Sequence, residues 1–117
     1  MDSREKLQAL ADWYSQKYNI ETPIVQYFDS QQSQLNSKSG RRSTLLGQFF
    51  PVANLIVIND GLTWEQQSDT LRHELAHAIV YHQEGIGGHG RRWRRIARQL
   101  GTNPRANQSH NPLFNNS

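Results

Sequence analysis

The period of the apolar positions changes along the chain, and each change marks an element. Leu7, Leu10, Ala11, Tyr14 and Tyr18 recur at three- and four-residue spacing, which predicts an N-terminal helix with Asp2 and Glu5 spaced as its capping box. Asn19 and Thr22-Pro23 end it. Ile24 to Phe28 is a short run rich in β-branched and aromatic residues and reads as a strand. Leu45 to Phe50 and Asn54 to Ile58 are two further apolar runs separated by Pro51-Val52-Ala53, the pattern of a hairpin. Between strand and hairpin, Asp29 to Thr44 is a polar connection with one leucine.

A longer helix is predicted from Thr63, whose hydroxyl and the Gln66 side chain are spaced to cap it, to Gln83. Glu84 to Gly90 is a glycine-rich break. Trp93, Ile96, Ala97 and Leu100 then fall at helical spacing in a final helix, Arg91 to Leu100, which Gly101 stops. The order defines a small α+β domain over residues 1–104, with a three-stranded sheet expected to be antiparallel. Residues 105–117, rich in Asn and Ser, are expected to form a flexible tail.

The 117 residues suffice for one domain and contain no cysteine. Disulfides, cysteine-ligated zinc, iron–sulfur clusters and a cysteine nucleophile are thereby excluded, and any metal must be held by His, Asp or Glu. The start of the chain lacks the apolar segment of a signal peptide, and the longest aliphatic run is Leu55-Ile56-Val57-Ile58, so no membrane partner and a cytoplasmic location are expected.

Within the long helix lies His73-Glu74-Leu75-Ala76-His77, an H-E-x-x-H motif. At about 100° and 1.5 Å per residue, two positions four apart lie one turn along the same face, so both imidazoles can reach one ion, and zinc suits two neutral imidazoles. Glu74 flanks that pair as a general base. Leu71, Leu75, Ala78 and Ile79 fall on the opposite side, so the helix is expected to bury one face and offer the histidines to a cleft. Arg72 lies near the buried arc, where a snorkelling side chain is expected.

Elimination finds the third ligand. Glu84 lies seven residues past His77, about 10 Å farther along the helix, and no acidic residue follows it. The longer H-E-x-x-H-x-x-G-x-x-H arrangement fails because Val80 stands at its glycine and Gln83 at its last histidine. His82 points to the far side, and His110 lies in the expected tail. His89 follows Gly85, Gly87 and Gly88, which allow the chain to reverse. The expectation is one Zn2+ held by His73, His77 and His89 with water as fourth ligand. In the matching mechanism Glu74 takes a proton from the attacking water and passes it to the leaving amine.

These segments, His73-Glu74-Leu75-Ala76-His77-Ala78 followed by Gly88-His89-Gly90-Arg91-Arg92-Trp93, resemble the SprT-like family of zinc metallopeptidases, which includes the Spartan proteases. The resemblance extends more weakly upstream, through Ser37 to Gly40 and Asn54 to Asn59. It implies a zincin-like fold, the same three zinc ligands and Glu74 as catalytic base. Many bacterial members carry a cysteine-rich zinc ribbon after the peptidase domain, and no cysteine is present here.

The net charge of +3 is unevenly spread: residues 1–84 hold seven basic and ten acidic side chains, whereas residues 85–117 hold six arginines and no acid. Arg91, Arg94, Arg95 and Arg98 lie opposite the apolar stripe of the last helix, with Arg41, Arg42 and Arg105 as additions. Such a surface suits nucleic-acid phosphates, and the resemblance implies DNA, because Spartan-type enzymes degrade proteins crosslinked to it. If DNA is bound, the location is the nucleoid. A metallopeptidase acting on proteins or peptides is therefore expected, with Leu45 to Phe50 as the strand that receives substrate and Tyr81 as a candidate transition-state stabiliser. The alternative is a zinc-containing DNA-binding or adaptor module without peptidase activity.

Overall fold

Local caps start the first two helices and left-handed residues stop all three, where the periodicity places them. In the computed structural model, which describes residues 2–29, 45–85 and 87–102, Asp2 Oδ1 accepts the Glu5 backbone N–H at 2.8 Å and opens α1 (Ser3–Tyr18). Asn19 closes it in the left-handed conformation, φ 56°. Thr63 and Gln66 form a reciprocal capping box before α2 (Trp64–Glu84), and left-handed Gly101 ends α3 (Arg91–Leu100).

The strands are β1 (Ile24–Phe28), β2 (Gly47–Phe50) and β3 (Leu55–Asn59), in the order β1-β3-β2. The sheet is mixed, which corrects the antiparallel expectation: β2 runs antiparallel to β3 through the short Pro51–Asn54 turn, but β1 runs parallel to β3. A short turn dictates an antiparallel neighbour. The connection from Phe28 to Leu55, which passes through β2, exceeds the dozen or so residues a parallel crossover needs, so its length leaves the direction of β1 relative to β3 to packing. The most continuously apolar strand, β3, takes the centre.

One face of the sheet, built from Val25, Ile56, Ile58 and Phe49, joins Leu7 and Ala11 of α1, Leu71, Leu75 and Ile79 of α2, and Trp93, Ile96 and Leu100 of α3 in a single core. Burying each large aliphatic side chain contributes about 1.5–3 kcal/mol, far more than helix propensity supplies. Gly47 has a steric reason: a Cβ there would lie 2.6 Å from Thr70 Cγ2 and 2.9 Å from the Val57 carbonyl oxygen. Its absence lets β2 rest directly against α2. The outer edge of β1 is occupied by α1, where Gln8 accepts from Val25 N–H at 2.9 Å and donates to Pro23 O at 3.0 Å, and Arg4 donates to Val25 O at 3.2 Å.

The central helix differs from the one-faced helix of the sequence reading. Residues 73–80 of α2 are all buried, because α1, β2 and β3 pack around it and α3 folds back over the histidine side. Arg72 is half-buried and its guanidinium lies 3.8 Å from Asp69, an ion pair within the helix. No helix among the described residues is long and apolar enough to cross a membrane. Arg41, Arg42, Arg105, His110, Ser37 to Gly40 and the expected 105–117 tail lie outside the described residues.

Candidate metal centre

His73 and His77 lie one turn apart on the buried stretch of α2, and His89 approaches from the glycine segment that leads into α3. Helix α2 ends at Gly85 with φ 70°, and Gly88 takes φ 86°; in both, the left-handed backbone suits glycine and lets the chain turn back. His89 Nε2 lies 3.1 Å from His77 Nε2 and 3.4 Å from His73 Nε2, and one ligand atom from each histidine lies within 4.8 Å of the others.

These contacts fit a shared cation. An imidazole nitrogen carries one in-plane hydrogen or one lone pair, so His89 Nε2 cannot make aligned hydrogen bonds to both neighbours at once. Nitrogens bound to one tetrahedral ion at about 2.0–2.1 Å sit roughly 3.3 Å from each other, close to the separations found. His73 and His77 are buried and His89 is exposed, so the group opens to solvent on the loop side.

Glu74 is fully buried, and its Oε2 lies 3.7 Å from His73 Nε2. Desolvation pushes its carboxyl well above the ordinary value of 4.5, opposed by the backbone N–H of Phe49 in β2. The glutamate therefore sits between the histidine group and the strand at one end of the sheet. Tyr81 places its ring edge-on to Phe49 at 6.0 Å, and His82 turns away to Asn54 Oδ1 at 2.9 Å, as its helical position requires.

One contributor escaped the sequence reading in part. Trp93 is buried, as its apolar stripe predicts, yet its indole also lies against the rings of His73, His77 and His89 at centroid distances of 4.8, 5.2 and 4.5 Å. The available signal was its position four residues after His89, at the start of a helix.

Arg91, Arg94, Arg95 and Arg98 stand together on the exposed side of α3 and, with Gln99, line an open groove of about 460 Å³. Arg92 is not part of that group. It donates to Gln83 Oε1 at 2.6 Å and pairs with Glu84 at 3.4 Å, tying α3 back to the end of α2.

Two histidines on a helix and a third from the following loop, flanked by a buried glutamate, form a group that could hold a metal ion in a small α+β domain. The SprT-like family matches residues 4–112, nearly the whole chain, and the protein belongs to that family. No curated protein and no solved structure gives a match.

Proposed function

We propose that the protein is a zinc-dependent metallopeptidase that hydrolyses peptide bonds, with His73, His77 and His89 as the zinc ligands and Glu74 as the general base. The observation that carries this reading is the convergence of the three Nε2 atoms beside one fully buried carboxylate. Held by three neutral imidazoles, a divalent ion would keep its full charge and so would supply carbonyl polarisation and a lowered water pKa at this site. Burial makes the Glu74 carboxylate a stronger base; it takes the proton of the attacking water and returns it to the leaving amine. Membership of the SprT-like family supports the same assignment.

The peptide enters by adding a strand beside β2. Two observations favour β2 over β1: it forms the end of the sheet next to Glu74, and the edge of β1 is already taken by Gln8 and Arg4. DNA associates through Arg91, Arg94, Arg95 and Arg98, whose exposed guanidinium groups suit a phosphate backbone, and crosslinked or DNA-bound proteins are the corresponding substrates.

The test combines metal analysis with a proteolysis assay, with and without DNA and at low and high salt. Glu74→Gln is expected to keep zinc and lose hydrolysis, and His89→Ala to lose both. Full activity in Glu74→Gln overturns the assignment, zinc without proteolysis under any condition favours the adaptor alternative, and DNA affinity that is absent or indifferent to salt removes the nucleic-acid partner.

A further inference from the structure

Trp93 connects the parts of the histidine group that the backbone leaves independent. Its ring is 2% exposed and packs in the core with Ile96, Ala97 and Leu100. From there it meets His89 edge-on at 86°, His73 at 67° and His77 nearly parallel at 28°. The indole Nε1–H is buried and has no hydrogen-bond partner among the described residues. A buried donor left unpaired is a cost, which a leucine or phenylalanine filling the same core would avoid.

The histidine rings need such a contact because the second torsion of histidine is broad and selects no single ring orientation. His89 needs it most, since it is exposed and stands between Gly88 and Gly90. We infer that Trp93 is a positioning residue of the metal centre, holding the three imidazoles with their Nε2 atoms converged before an ion arrives. The geometry carries this: one rigid indole, anchored in the core, contacts all three rings, and edge-on arrangements are those that aromatic pairs favour. The inference rests on the metal reading of the histidine group and adds to it a residue outside the ligand set.

The experiment titrates the full-length metal-free chain with Zn2+ against a chromophoric chelator and with Co2+ while recording its visible absorption, for wild type, Trp93→Phe and Trp93→Leu. The metal-free fold of each is followed by circular dichroism and melting. Trp93→Leu is expected to bind Zn2+ about 10–100-fold more weakly with an altered Co2+ spectrum, and Trp93→Phe about three- to tenfold more weakly, as loss of an outer-shell support does. Equal affinity and an unchanged Co2+ spectrum in both folded variants overturn the inference while leaving the metal reading standing. Failure of wild type to bind either ion overturns both.

If Trp93→Leu does not fold, Trp93→Phe and one further measurement decide. The chain has three tryptophans, and replacing exposed Trp13 and Trp64 with Phe leaves Trp93 as the sole tryptophan, which excitation beyond the tyrosine band reads alone. Co2+ is expected to quench its fluorescence strongly; unquenched emission with Co2+ bound, or unchanged Zn2+ affinity in Trp93→Phe, rejects the positioning role.

Discussion

His73 and His77 are held by a helix packed on every side, whereas His89 stands exposed on a glycine segment. The two helical histidines have their separation set by α-helical geometry and their surroundings set by the core, so they are placed as soon as α2 docks. His89 is placed only when the chain reverses and α3 packs. One histidine group is thus built from a rigid half on the packed helix and an exposed half on the glycine segment.

The largest effects that sharpen this contrast come from the ligands. His77→Ala and His89→Ala should both abolish tight zinc binding, but only the first should weaken the metal-free fold, by about 1–3 kcal/mol against roughly 0.5 kcal/mol or less for the exposed residue. Urea unfolding of the metal-free variants measures this, and equal losses would break the comparison.

Glu74 belongs to the rigid half, and its burial predicts a pH effect. Its folded pKa lies above the unfolded value, so the metal-free native state holds a proton that the unfolded chain releases. Stability from this group is therefore full below about 4.5 and is lost as pH rises from there through the folded pKa. Melting curves across this range should show wild type losing stability relative to Glu74→Gln as pH rises; parallel curves would mean that the carboxyl is not desolvated.

Two glycines give smaller, matched tests. Gly47→Ala drives a Cβ toward a backbone carbonyl and Thr70, and overpacking of this kind costs about 1–3 kcal/mol of fold stability. Gly88→Ala meets no atom within 4 Å but must keep φ 86°, a strain of about 1–2 kcal/mol. Because Gly88 precedes exposed His89 and lies outside the core, that strain should displace the imidazole more than the fold and appear as roughly tenfold weaker zinc binding with little change in metal-free melting. Chelator competition and thermal unfolding on the same samples separate the two.

Much of this was legible in the chain. The capping pairs Asp2/Glu5 and Thr63/Gln66 and the stop at Gly101 place the helices to within a residue or so, because caps and glycine stops act over three or four neighbours. His73, Glu74 and His77 could be read because helical spacing alone puts them together, and His89 because few residues remained that could reach them. The direction of β1 could not be read: a short turn commits its two strands, whereas a long connection commits neither.

By itself, then, the sequence determined the helices, a group of three histidines in a chain without cysteine, and an arginine-bearing outer side of α3. Only the tertiary structure decided that α2 is enclosed rather than one-faced, that β2 lies beside Glu74, and that the indole of Trp93 reaches three histidines from two elements. The reason is range. Periodicity and caps report contacts within about one or two helical turns, while burial of a carboxylate and the closing of a ligand group depend on surfaces that meet only when distant segments pack.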